Sequence, residues 1–339
     1  MHKPRIIITP SAAKLGEAVN THLNQHYKTK ENYIANTDFV RFSNGEGKCV
    51  IKDDLAGCDI FIISDPSNYG ASYDLIKTPH HMSPDEHFSD IKRAISALRG
   101  QACRINVIIP LLYQSRQDKR KIKESLDCAM ALKELEWYGV KNIITVDIHS
   151  LSVENAIPFN TALHNSSALD TLLDSFKSTI KYDNLFVVSP DSGAKKKADY
   201  AAKYLGIDKS GSFEKRRNYE IVKDGQNPIE FHEFIGPSSL KNHDILLIDD
   251  MIASGASLLS SIKLLKKLHA NKIHLMVSYS LFTSGIDSFI KANAEKEFDT
   301  LFTTNLSYIP DEYSKYDFIH IVDCSAELAK QIELLNSTL

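Results

Sequence analysis

Two adjacent carboxylates, Asp249 and Asp250, are followed by a run of small residues, Ala253-Ser254-Gly255-Ala256-Ser257. Small side chains let backbone N–H groups close around a phosphate, and a helix N-terminus behind them adds a favourable dipole. Carboxylates beside such a cradle can accept hydroxyls, so the stretch suits a sugar phosphate. The groups need a strand in front of them and a helix behind. Ile245-Leu246-Leu247-Ile248 is an apolar run of four bounded by polar residues, which reads as a buried parallel strand. It delivers the acids at its C-terminal end, where open α/β sheets hold their ligands. Leu258–Leu265 carries the helical pattern that follows.

The same plan recurs earlier in the chain. Strand, proline, loop and helix occur at Pro110 and again at Pro190, and a strand ending in Asp occurs at Asp147 and again at Asp249. The β-α-β alternation predicts an α/β fold: two related domains, residues 1–160 and 161–339, each a mainly parallel sheet with helices on both faces. The longer interval in the second half lies in Phe213–Lys241, which reads as an inserted loop or hairpin. Asp65–Pro84 reads as irregular, and its pair His80-His81 as surface residues rather than ligands. Ser83-Pro84-Asp85-Glu86 is a good helix start, and Leu301–Asn305 is expected to be the last strand.

Composition narrows the setting. With 43 acidic and 40 basic residues, no global charge points to nucleic acid or membrane. Five scattered cysteines form no C-x-x-C, which suits a reduced compartment and gives no metal signal. No apolar run approaches a membrane span, and Ile6-Ile7-Ile8 is too short for a signal sequence. The expectation is a cytoplasmic protein.

Taken in order, Phe42-Ser43-Asn44-Gly45-Glu46, Ser115-Arg116-Gln117-Asp118, Val146-Asp147-Ile148-His149, Val188-Ser189-Pro190-Asp191, Lys215-Arg216-Arg217 and Ile248-Asp249-Asp250 resemble the motifs of the ribose-phosphate pyrophosphokinase (PRPP synthetase) family. The resemblance spans most of the chain. It implies two tandem phosphoribosyltransferase-type domains and an enzyme that transfers the β,γ-diphosphate of Mg-ATP to the C1 hydroxyl of ribose 5-phosphate, giving PRPP and AMP. By that resemblance Phe42, Asn44, Gly45 and Glu46 form an adenine-contacting turn, and Arg116 and Gln117 an ATP-binding pair. His149 and Asp191 match metal-associated positions, for Mg²⁺. Lys215 and Arg217 match catalytic cations of a flexible loop. Asp249, Asp250, Ala253, Ser254, Gly255, Ala256 and Ser257 match the ribose 5-phosphate site. The family turn usually serves an ATP held by a neighbouring subunit, so a homo-oligomer, a dimer or a multiple of dimers, is implied.

There are departures. Ala253 stands where the family usually has a third aspartate, Asn44 replaces an Asp, and Ser254 and Ser257 replace threonines. Ala253 keeps open a second reading, a catalytically silent regulatory subunit. A PRPP-using phosphoribosyltransferase is a third, although one domain would suffice for it.

Overall fold

The computed structural model describes residues 3–120, 123–207, 210–217 and 229–337; the side chains at 215–217 and 229–232 lie outside the description. The chain divides into two units: Met1–Ala168 with Asn305–Pro310 and Asp323–Leu339, and Leu169–Thr304 with Asp311–Val322.

In the first unit, β1 (Pro4–Ile8) leads through a short turn into α1 (Ala13–Tyr27). A hairpin of β2 (Thr37–Arg41) and β3 (Gly47–Ile51) precedes β4 (Asp59–Ile63). A second hairpin, β5 (Ser72–Leu75) and β6 (Thr78–His81), precedes α2 (Pro84–Ala97). Then come β7 (Arg104–Ile108), α3 (Asp127–Trp137), β8 (Asn142–Val146) and β9 (Ala162–Ser166). The main sheet has the order β1-β4-β7-β8-β9 and is parallel throughout. Each new strand joins on the same side, so the order never reverses.

Apolar runs place these strands in the interior. Ile60 and Ile62 pack with Val107 and Ile143 against Phe88, Ile91, Leu132 and Leu135 from α2 and α3, while Phe61 and Ile63, of opposite parity, are also fully buried. Burial on both faces is what a parallel sheet requires. A polar ladder fixes the register at the opposite end from the loops. Arg104 makes two bonds to Asp59 (3.0 and 2.7 Å), and Asn106 donates to Asp59 at 2.8 Å. Asn142 then donates to Asn106 at 2.7 Å, and His164 meets Asn142 at 2.9 Å. Buried polar groups are costly alone, so a chain of satisfied partners across four strands resists slippage.

The second unit begins with α4 (Leu169–Thr179), β10 (Leu185–Ser189) and α5 (Lys195–Tyr204). It continues with β11 (Ser210–Arg217), β12 (Ile229–Ile235), β13 (Asp244–Ile252) and α6 (Ala256–Lys267), then β14 (Ile273–Ser280), α7 (Asp287–Ala294), β15 (Thr300–Thr304) and β16 (Ile319–Val322). The sheet order is β12-β11-β10-β13-β14-β15-β16, parallel except for β12 against β11. Here the chain moves outward from β10 to β11 and β12, then returns to place β13 on the other side of β10.

The last helix, α8 (Ser325–Asn336), belongs to the first unit, where it packs on α1 and its Leu335 carbonyl accepts a 2.6 Å bond from Arg104. The expected division after residue 160 therefore differs from the packing. β9 completes the first sheet beyond that point, and the first unit reclaims residues 323–339, where α8 packs on α1 and His26 meets Glu333 at 3.1 Å.

Two further expectations change, and a third is narrowed. Asp65–Pro84 is not irregular but contains the β5–β6 hairpin, whose polar alternation carries no apolar period. Leu301–Asn305 is not the last strand, since β16 pairs along β15. Phe213–Lys241 contains the β11–β12 hairpin arm of the two alternatives that composition allowed.

Candidate active site

The site forms where the second sheet changes direction. Strands on either side of a reversal send their connections to opposite faces, which opens a crevice at their C-terminal ends. β10 and β13 flank this reversal, and Pro190-Asp191 and Asp249–Ser257 follow them. β13 is longer than its apolar run implied: it extends to Ile252, with Asp249 opposite Val277 and Met251 opposite Tyr279 on β14. The acid pair is thus held within a paired strand.

The Asp250 N–H donates to Asp249 Oδ1 at 2.9 Å. Burial, and then the charges of Asp250 and Asp191, push the Asp249 carboxyl well above the usual carboxylate range. Asp191 Oδ1 accepts the N–H groups of Gly193 (2.9 Å) and Ala194 (3.1 Å), which closes the turn into α5. Three acids thus share one crevice, and crowded like charges favour a bound cation or hydroxyl donors.

The loop is tighter than the helical pattern indicated, because α6 starts at Ala256 rather than Leu258. Ala256 and Ser257 therefore belong to the first turn, where backbone N–H groups lack intrahelical acceptors. Gly255 caps the helix at φ 83°, and a Cβ there would lie 2.4 Å from a Phe289 ring carbon. Positive φ and close approach both demand glycine. The loop is anchored from behind by Leu281 N–H to the Ile252 carbonyl (2.8 Å) and Thr283 N–H to the Ala253 carbonyl (3.0 Å). No pattern in the sequence announced Phe289 or Thr283 as supports, since both contacts are distant along the chain.

Apart from Lys215 and Arg217, the other candidates lie in the first unit. Phe42–Glu46 is the turn between β2 and β3, closed by Phe42 N–H to Glu46 O (2.8 Å) and Gly45 N–H to Phe42 O (2.9 Å). Asn44 bonds Glu46 through its side chain in both directions, at 3.0 and 3.1 Å. Phe42 is 45% exposed, with the Lys48 ammonium 5.7 Å from the centre of its ring. Arg116 is exposed in the loop after β7, and Gln117 donates to the Ser125 carbonyl at 3.0 Å. Asp118 accepts the Ser152 hydroxyl; although burial acts to raise its carboxyl, that hydroxyl and Ser150 hold it below the usual value.

His149 is exposed after β8. Among the described residues, no group of three or more His, Cys, Asp or Glu side chains is arranged to hold a metal on its own. Lys215 and Arg217 fall on β11, with Lys215 opposite His232 in the ladder, and their side chains lie outside the described residues.

Residues 5–139 match the family model described as the N-terminal domain of ribose phosphate pyrophosphokinase, and residues 162–297 match the phosphoribosyl transferase domain. A ribose-phosphate pyrophosphokinase of Prochlorococcus marinus is 26% identical over 313 residues, covering 91% of this chain and 84% of the relative. One from Ralstonia nicotianae is 27% identical over 290 residues, covering 84% and 80%. In fold, the chain is similar to the crystal structure of phosphoribosylpyrophosphate synthetase from Mycobacterium smegmatis, with a TM-score of 0.81 at 19% identity, over 99% of this chain and 100% of that one.

Proposed function

Because the chain belongs to the ribose-phosphate pyrophosphokinase family, we propose that it joins ribose 5-phosphate to the β,γ-diphosphate of ATP, releasing AMP and giving PRPP. The observation that carries the assignment of the sugar site is the acid pair on β13 beside the Gly255-capped start of α6, at the reversal of the second sheet. The first-turn N–H groups of α6 take the 5-phosphate, and Asp249 and Asp250 accept the ribose hydroxyls. The C1 hydroxyl then attacks the β-phosphorus in line. A new O–P bond forms, the bond from the β-phosphorus to the oxygen of the α-phosphate breaks, and the hydroxyl proton leaves to water.

The nucleotide is received by Phe42–Glu46, with Arg116 and Gln117 contributing polar contacts. The acids of the second unit suit Mg²⁺, which takes one or two carboxylates and completes its shell with water and phosphate oxygens. Asp191 is the residue of the second unit proposed to hold it, and His149 is proposed separately as a metal-associated residue of the first; when bound, the ion would neutralise phosphate charge. Lys215 and Arg217 are proposed to stabilise the charge that grows on the departing group, which belongs in kcat rather than in binding. A homo-oligomeric, cytoplasmic enzyme completes the proposal. None of the five cysteines is in a disulfide, and no helix among the described residues is long and apolar enough to cross a membrane.

The test is an assay of purified protein with ribose 5-phosphate, ATP and Mg²⁺, following AMP and PRPP together. Stoichiometric appearance of both supports the proposal. No turnover, with activity gained in Ala253→Asp, would instead establish the silent-subunit reading.

A further inference from the structure

The hairpin β5–β6 has an expensive tip. Leu75 and Thr78 pair directly, so Ile76 and Lys77 form a two-residue turn, with φ of 49° and 61°. Such turns normally hold Asn-Gly or Gly-Gly, because both residues need positive φ. A β-branched residue there is strained, and strain of this kind persists where surrounding contacts hold it. Ile76 is 76% exposed, so no burial of its side chain offsets the strain.

What the tip does make is a bond to another turn. The Ile76 N–H donates to the Ser43 carbonyl at 2.8 Å, within the Phe42–Glu46 turn. Gly45 of that turn lies so close that a Cβ would sit 3.2 Å from Leu75 Cδ1 and 3.3 Å from Tyr73 Oη. Tyr73 is itself fixed: its hydroxyl donates to Glu86 Oε1 at 2.7 Å, and His80 meets Glu86 Oε2 at 3.0 Å. Burial works to raise the Glu86 carboxyl, but the Ser83 N–H, Tyr73 and His80 bring it down to about 2. Glu86 also closes the capping box of α2 with Ser83. Arg41, next to Phe42, bonds Asp90 of α2 at 2.6 Å and lies 5.7 Å from the centre of the Tyr73 ring. The hairpin therefore links a rigid helix start to an exposed turn.

We propose that the β5–β6 hairpin is a brace that holds the Phe42–Glu46 turn in its nucleotide-receiving shape, with Tyr73, Leu75 and Ile76 as positioning residues. The proposal rests on the reading that this turn receives the nucleotide. A turn of five residues on a two-stranded ribbon is mobile alone, and ordering it upon binding would cost affinity. The brace meets that cost during folding, so its contribution appears in the KM for ATP and not in that for ribose 5-phosphate.

The experiment uses the full chain with Tyr73–His80 replaced by Gly-Gly, which joins Ser72 and His81 where they already face each other. The KM for ATP should rise about ten- to thirtyfold, the scale of a lost hydrogen bond with lost preorganisation. The KM for ribose 5-phosphate and kcat should stay within about twofold, since neither substrate step involves the hairpin. Lys77→Gly relieves strain without touching the contacts and should keep the parent KM for ATP. A second readout is independent of activity. In a Trp137→Phe background, which removes the only tryptophan, Phe42→Trp reports turn motion by fluorescence anisotropy. Truncation should lower that anisotropy with no nucleotide present.

Unchanged anisotropy and an unchanged KM for ATP in the truncated enzyme overturn the brace. An equal rise in both KM values also overturns it, as a general loss of structure. Phe42→Ala separates the two layers: if it leaves the KM for ATP unchanged, the nucleotide reading of the turn fails even where anisotropy shows bracing.

Discussion

Asp147, just after β8 in the first unit, and Asp249, within β13 in the second, hold corresponding places in the repeat, and they have been put to different uses. Asp147 sits at φ 47° and spends its oxygens locally, Oδ1 on the Ser167 hydroxyl (2.9 Å) and Oδ2 on the Ala168 N–H (3.2 Å). It ties the chain down where β9 ends. Asp249 stays in the extended strand, takes one N–H from Asp250, and is crowded by Asp250 and Asp191. The same residue type at the same place in a repeat is a structural anchor in one unit and a candidate ligand in the other. Sheet order separates them, because only the second sheet reverses and opens a crevice at its acids.

The largest effect should come from closing that crevice. Gly255→Val sets a β-branched side chain at φ 83° against Phe289. Strain and the loss of charge-assisted phosphate bonds should together cut kcat/KM for ribose 5-phosphate by about a hundred- to a thousandfold. Circular dichroism confirms that the fold survives; a normal KM in the folded variant would remove the loop from the site. Next is the paired comparison. Asp249→Asn should lower kcat/KM by about ten- to a hundredfold with little loss of stability, whereas Asp147→Asn should lose about 1–2 kcal/mol in urea unfolding with near-normal activity. Equal behaviour of the two variants would erase the distinction drawn above.

A third strand-end acid sharpens it. Asp65, after β4, is 3% exposed and accepts the Tyr308 N–H at 2.7 Å and the Ser67 N–H at 3.0 Å. Burial outweighs these bonds and pushes its carboxyl up to about 6. A carboxyl whose folded value is raised penalises the native state once ionised. Its penalty is absent below the unfolded value near 3.9 and complete above about 6. The stability of Asp65→Asn relative to the parent should therefore rise by about 2–3 kcal/mol between pH 4 and pH 6.5, read from urea titrations. A flat difference would show that these two N–H groups and the Ser67 hydroxyl, 2.5 Å from Oδ1, keep Asp65 ionised at low pH. Ala253→Asp is expected to be the mildest change, at most about fivefold in kcat/KM, near 1 kcal/mol. On the proposed reading the two acids already present hold the sugar, and a further charge adds repulsion as well as contacts.

Much of the fold was legible because buried parallel strands are written as apolar runs. β8 and β10 lie where Asn142–Val146 and Leu185–Ser189 indicate, both buried throughout. Edge elements leave no such trace. β9, Ala-Leu-His-Asn-Ser, and β16, Ile-His-Ile-Val, are only partly buried and are interrupted by polar residues. The stripe Leu169, Leu172, Leu173 and Phe176 of α4 is an ordinary helical period and was the available signal for that element. At the site, the acids and the glycine were readable from type and spacing. Their supports were not, because Phe289, Thr283 and the Ile76–Ser43 bond come from segments that meet only after folding. A positive-φ turn without glycine or asparagine hides a hairpin from any reading of turn residues.

The return of α8 to the first unit sets an order on synthesis. A chain emerges from the ribosome N-terminus first, and domains commonly fold as they appear. Here residues 1–168 reach the solvent without the helix that packs on α1, which is translated only after the second unit. The segment 169–304 and β16 are all translated earlier than α8, so the second unit has its whole sheet in hand while the first still waits. Until α8 emerges, α1 lacks the helix that packs on it, and a chain stopped before α8 would be damaged in the unit translated first.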